Sequence, residues 1–221
     1  MIKAIQEANF VVIKADNKFL SSASALYTYI LTLHKKVSLV CENEIDKRLL
    51  FLPWTDKCRK IVPSSSDLII ELDLTSSKLY KLFIDNNIKI NQKMATALYA
   101  GLLLESDGFL NSSVDGTIFA IARELIEYKA EYKLCTKMIM KSTSLSALRL
   151  KAILLNNMIL SQNATVASLH VSDEILKAAG AGLKDCDEVM NEALKLPHVN
   201  EVRLVKIDES DKIIKNYKDV S

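Results

Sequence analysis

Residues 10–34, "FVVIKADNKFLSSASALYTYILTLH", constrain the fold of this 221-residue chain more than any other stretch. "FVVIKA" is a continuous apolar, β-branched run, the composition of a strand covered on both faces. "SSASALYTYILTLH" follows with small residues and then apolar ones at helical spacing. A buried strand that turns at once into a helix is the β-α opening of an α/β sheet, and such sheets bind ligands beyond the carboxyl ends of their strands. "KADNK" falls at that end, which makes Lys14, Asp16 and Lys18 candidate site residues.

The alternation continues. "KVSLVCE" reads as a second strand, "NEIDKRLLFL" as a short helix opened by an Asn or Glu cap, and "SDLIIELD" as a strand ending in two acids. Strands separated by helices imply a parallel sheet with right-handed crossovers. From residue 75 the period becomes helical: "TSSKLYKLFIDNN", "NQKMATALYAGLLLESDGF" and "VDGTIFAIARELIEYKAEYK" predict three helices. "CTKMIMKSTSLS" then places Lys, Ser and Thr between periodic segments, the signal of a boundary. Beyond it come a helix, "ALRLKAILLNNM", a hairpin around Gln162-Asn163, helices near 173–180 and 184–195, and two strands across a Glu-Ser-Asp turn. The expected fold class is therefore α/β: a parallel-sheet, Rossmann-like domain over 1–132, a linker over 133–145, and a smaller α+β domain over 146–221.

Composition excludes several function classes. With 49% hydrophobic residues the chain buries a core and is not disordered. A net charge of +2 supplies no general attraction to nucleic acid or anionic lipid. The longest apolar run, "ATALYAGLLL", suits a buried helix and is far short of the roughly 18 residues of a membrane span. Cys41, Cys58, Cys135 and Cys186 form no C-x-x-C pair, and "MIKAIQEANF" lacks the basic-then-apolar pattern of a secretory signal, so reduced, mostly buried thiols in the cytoplasm are expected. Trp54, with Tyr27, Tyr29 and Phe51, either stacks on a base or packs within the fold. The lysines of "KIIKNYK" either touch phosphate or guard a solvated strand edge. His170 with Ser168, Ser146, and Cys41 suggest no nucleophilic triad.

Three stretches together carry a family likeness: "KADNKFLSSASALYTYI" after the first strand, "DLIIELD" closing a later one, and "ATALYAGLLLESDGF" in the following helix. The chain resembles the DHH/DHHA1 phosphoesterases, the RecJ-like group of nanoRNases, phosphoadenosine phosphatases and cyclic-dinucleotide phosphodiesterases. "SDEILKAAGAGLKDCDEVMNEALKLPHVNEVRLVKID" is similar to the family's DHHA1 segment. The resemblance implies a DHH-like first domain, a DHHA1-like second one, and a pair of divalent ions, usually manganese, on aspartates and histidines at the strand ends. Paired ions of that kind stabilise both attacking and leaving oxygens at phosphorus.

Against the family pattern, Lys14 stands at the histidine of the first motif, Asp16 matches its first aspartate, Lys18 replaces the second, and Ser22 matches the serine. Asp73 matches the aspartate closing the second motif. After it the D-H-H segment is missing, and none of the three histidines, His34, His170 and His198, lies where it belongs. Glu105 occupies a further aspartate position, with Asp107 nearby. The glycine-rich terminal loop is also absent, so the DHHA1-like domain reads as truncated. An ammonium group has three donors and no acceptor, and cannot ligate a cation without losing its proton. The resemblance with these departures implies a catalytically inactive relative that binds a protein partner or serves as a structural component, with no cofactor. Lys14 or Lys18 would take the place of the lost cation, neutralising Asp16, Asp73 and Glu105. One alternative is a residual manganese-dependent phosphodiesterase or phosphatase using Asp16, Asp73 and Glu105 on short oligonucleotides, phosphoadenosine phosphate or cyclic dinucleotides. Another is a sensor that binds nucleotide without cleaving it.

Overall fold

A computed structural model of the chain describes residues 1–112, 114–141, 143–209 and 211–218. The backbone divides into two compact units, Met1–Ser142 and Thr143–Ser221.

In the first unit β1 (Phe10–Lys14) lies between β2 (Lys36–Val40) and β3 (Leu68–Glu71), all parallel. The period of two sends Val11 and Ile13 toward the main core, where they pack with α2 (Leu20–Thr32). Phe10 and Val12 turn to the other face and cluster with Val40 and Val62. Both faces of β1 are thus covered, as its unbroken apolar run demands. α3 (Ser76–Asp85) starts at Thr75, whose hydroxyl accepts from Lys78 N, and α4 (Gln92–Glu105) starts at Asn91, whose side chain accepts from Met94 N at 3.0 Å. Every residue of α4 from Met94 to Leu103 is buried, which is why "ATALYAGLLL" is apolar all round. α5 (Gly116–Glu127) and α6 (Tyr132–Met140) pack against α4.

The close approach of α2, α3 and α4 depends on small side chains. A Cβ added to Gly101 would stand 1.8 Å from Ser76 Oγ and 3.1 Å from Ser21 Cβ. Beside that contact the buried hydroxyls of Ser22 and Ser76 share a hydrogen bond of 3.0 Å.

In the second unit a four-stranded sheet runs β4 (Ile159–Ser161), β5 (Val166–Val171), β6 (Glu201–Lys206), β7 (Lys212–Lys218), with β5 and β6 parallel and both outer pairs antiparallel. Ala167, Leu169, Val171, Val202 and Leu204 form one core with Leu150 and Leu154 of α7 (Leu145–Asn156) and Val189 and Met190 of α9 (Cys186–Leu194). α8 (Asp173–Ala179) is capped by Ser172 and ends at Gly180, φ 66°, the left-handed position that glycine adopts without strain. The β4–β5 turn places Gln162, Asn163 and Ala164 at positive φ. β7, with its lysines, is an edge strand. Of the turn expected at Glu209-Ser210-Asp211, Ser210 lies outside the described residues.

Three expectations need correction. Residues 133–145 are not a linker: α6 occupies most of them, because Cys135 and Ile139, one turn apart, are buried while the lysines point outward. Thr96 of α4 anchors that helix, accepting from Glu131 N at 3.0 Å through its hydroxyl and from Cys135 Sγ at 3.5 Å through its carbonyl. The helix expected over 114–133 correspondingly stops at Glu127, with Lys129 at φ 68°. "NEIDKRLLFL" forms only a 3-10 turn, Lys47–Leu49, since Asp46 captures both the N–H and the guanidinium of Arg48. A helix not foreseen, α1 (Ile2–Glu7), buries Ile2 and Ile5. All four cysteines are free, and burial pushes the thiols of Cys135 and Cys186 up to about 12 and about 11. No described helix is long and apolar enough to cross a membrane.

The Gly101→Ala variant is expected to lose about 1–3 kcal/mol in urea denaturation, the range for an overpacked interior. Adding Ser76→Gly is expected to restore part of that loss. An unaltered single variant would show that α3 can step back without cost.

Candidate functional site

The carboxyl ends of β1, β2 and β3 open onto a cavity of about 470 Å³ lined by Lys14, Asp16, Phe19, Glu42, Asn43, Glu71 and Asp73. Register explains the gathering. Lys14 lies opposite Glu71 on β3 and Val40 on β2, so Glu42, two residues past Val40, returns to the face of Lys14. Asp73 stands two residues past Glu71 by the same parity.

Lys14 Nζ is 2.9 Å from Glu42 Oε1 and 3.7 Å from Glu71 Oε1. The hydrogen bond and charge of Glu42, with the charge of Glu71, hold the ammonium above its usual range. Its contribution to stability is fully present below the unfolded value and is lost only as pH rises through the raised folded one. The Glu42 and Glu71 side chains are 61% and 80% exposed, which makes these surface pairs of small energetic worth. Their consequence is local: they hold a positive charge at the strand-end cavity.

The turn leading into α2 uses Asp16 differently. Asp16 Oδ1 accepts from Lys18 N at 2.9 Å and from Phe19 N at 3.2 Å, fixing the turn that leads into α2. Asn17 fastens this turn to the segment after β2, donating to the Glu44 carbonyl at 2.8 Å and accepting from Asp46 N at 3.0 Å. From the far side Lys60 Nζ donates to the carbonyls of Asn43 and Glu42.

The structure thus brings Lys14, Asp16 and Asp73 to one cavity and places the other expected residues elsewhere. Lys18 is exposed, its ammonium 5.1 Å from the centre of the Phe19 ring. Ser22 is buried in the α2–α3 contact. Glu105 accepts from Ser76 N, from Ser77 N at 3.4 Å and from Ser77 Oγ at 3.1 Å, which caps α3, and it lines a separate cavity of about 220 Å³. Asp107 lines neither cavity and sits exposed at φ 47°. The expectation that Lys14 or Lys18 neutralises Asp16, Asp73 and Glu105 is corrected accordingly. Among the described residues no ion pair joins either lysine to those acids, because register hands Lys14 to Glu42 and Glu71 instead. No group of three or more His, Cys, Asp and Glu among the described residues is arranged to hold a metal ion.

Glu42, Glu71 and Asn17 are the residues that motif reasoning missed. The parity of "VCE" and "ELD" against "IKAD" was the signal available for the first two. Trp54, considered as a base-stacking residue, stacks on Tyr27 with ring centres 5.4 Å apart and donates from Nε1 to Thr28 Oγ1 at 2.9 Å.

No family model matches the chain, and no curated protein matches it. Solved structures do. An exopolyphosphatase-related protein from Bacteroides fragilis superposes with a TM-score of 0.77 and 16% identity, over 95% of this chain and 79% of the other. A protein assigned as a family II inorganic pyrophosphatase from Methanococcus jannaschii aligns over 89% of this chain and 83% of the other, with 9% identity and a TM-score of 0.36. The first likeness establishes a shared fold.

Removing the ammonium in Lys14→Gln leaves Glu42 and Glu71 without their cation beside Asp16 and Asp73. Calorimetric titration is expected to show at least about a tenfold gain in Mn²⁺ affinity over the unmodified chain, a difference of ~1.4 kcal/mol. Equal affinities would mean that Lys14 does not guard the cavity.

Proposed function

We propose that this chain is a DHH-type phosphoesterase fold without phosphoesterase chemistry, acting as a binding or structural component of an assembly. The observation that carries the reading is the Lys14 ammonium between Glu42 and Glu71 at the end of the central strand. A two-ion phosphoryl-transfer site needs acceptor ligands there to hold hydroxide and substrate oxygen together. Here a donor stands in that place, Asp16 Oδ1 is engaged by backbone N–H groups, and Glu105 caps a helix. Retention of a complete core around such a site fits a role in which shape is what is used, and its partner is expected to be another protein. The likeness to an exopolyphosphatase-related protein supports the phosphoesterase ancestry and adds polyphosphate to the substrates worth offering.

One observation favours a second reading, a residual manganese-dependent phosphodiesterase or phosphatase. Asp16, Glu42, Glu71 and Asp73 outnumber Lys14 around the cavity, which leaves net negative charge there.

The two readings separate in one assay. The pure chain is incubated with Mn²⁺ and short oligonucleotides, phosphoadenosine phosphate, cyclic dinucleotides or polyphosphate, and released mononucleotide and phosphate are measured. No product above the buffer rate is expected. Release that disappears in Asp73→Ala would establish the hydrolase, and heat on titrating nucleotides in chelator, without turnover, would establish the sensor.

A further inference from the structure

Trp54, the only tryptophan of the chain, stands at a left-handed backbone position, φ 70°, just before the 3-10 turn Thr55–Lys57. A bulky residue is held there at a cost, so its surroundings must fix it. They do so through α2: Ser24 Oγ donates to the Pro53 carbonyl at 2.7 Å, and the indole N–H donates to Thr28. Tyr27 stacks on the ring.

Two ammonium groups from separate parts of the chain lie over the same indole. Lys57 Nζ is 5.0 Å from its centre, and Lys93 Nζ, from the first turn of α4, is 4.4 Å away. Either contact alone is an ordinary cation–π interaction. Together they bring like charges onto one ring, close to the positive end of a 14-residue helix. Among the described residues neither ammonium has a carboxylate within 4.0 Å. Asp56, the acid next to Lys57, bears on the Tyr27 hydroxyl, as does a further cation, Arg59. The local charge balance is therefore positive in a chain that is nearly neutral overall.

We propose that Lys57 and Lys93 form a binding site for a phosphate-type oxyanion, held between the two ammonium groups at the Trp54 indole. Lysine suits this use as a compact point charge with three donors. Tyr27 and both lysines already contact the indole, so the group assigned to the site is the oxyanion and not a stacked base. Neither lysine lines the strand-end cavity, and the site does not rest on the reading of that cavity.

The lone indole is its own reporter. Inorganic pyrophosphate is titrated into the full chain in chelator, at constant ionic strength, while Trp54 emission is followed and calorimetry runs in parallel. A saturable signal is expected. With Lys57→Ala and Lys93→Ala combined, its midpoint is expected to rise about tenfold or more, as for loss of a charge-assisted contact. Lys57→Arg with Lys93→Arg is expected to retain binding. Both lysines are exposed, so these variants keep the core, which thermal melts verify. The proposal is overturned by silence in both readouts, by an equal response to chloride at the same ionic strength, or by an unshifted midpoint in the double alanine variant. Chelator and the absence of any turnover measurement keep this result independent of whether the strand-end cavity proves catalytic.

Discussion

The contact of α3 with α4 at Gly101 governs how the first unit is put together. Only a residue without a side chain fits where Ser76 presses against α4, and the fit brings the first turn of α3 onto one face of that helix. Glu105 stands four residues past Gly101, on the same face by helical geometry. Its carboxylate therefore meets the unpaired N–H groups of Ser76 and Ser77 that every helix start presents. Backbone proximity, set by a glycine, decides the role of an acid that its sequence context suggests for something else.

At the strand ends the deciding constraint is register. Parallel pairing with a period of two turns Lys14, Glu42 and Glu71 to one side, while Val11 and Ile13 enter the α2 core on the other. Asp16, past the end of β1, faces the turn before α2 and takes its hydrogen bonds there. The resulting pairs are exposed and add little to stability, yet they fix the sign of the charge at the strand ends, which matters more for chemistry than for folding.

Much of the fold was legible because long periodic segments leave few options. The apolar run of β1, the small-then-apolar α2, the all-round apolar α4 and the turn residues Gln162-Asn163 each admit one reading, and the structure has it. α6 escapes the sequence reading because it spans only nine residues and runs directly into the Lys, Ser and Thr of "KSTSLS", whose polar composition signals a boundary. The sequence around the 3-10 turn at Lys47–Leu49 reads as a longer helix because the local capture of Arg48 by Asp46 leaves no mark on hydrophobic spacing. Of the site, the strand-end placement of Lys14, Asp16 and Asp73 followed from topology. The partners of Lys14 did not follow from motif matching, since a motif aligns residues along the chain while ion pairs form across it.

Two of the acids singled out by the family likeness, Asp16 and Glu105, share one physical circumstance. A carboxylate oxygen that accepts two N–H bonds has little lone-pair capacity left for a cation, and recruiting it would leave those donors unpaired. Asp16 Oδ1 meets that description with Lys18 and Phe19, and the Glu105 oxygens come close to it with Ser76 and Ser77. A metal drawn to these residues would thus have to compete with the turn before α2, with the start of α3 and, at the strand ends, with the ammonium of Lys14. Of the exposed acids outside both networks, Asp73 is the one that lines the strand-end cavity, so it could ligate there without disturbing the fold. One free carboxylate is a weak ligand set for a dication that prefers several oxygens. In the proposed reading, fixed donors take the place of a cation: backbone N–H groups satisfy Asp16 and Glu105, Lys14 pairs with Glu42 and Glu71, and the turns that these acids hold stay anchored.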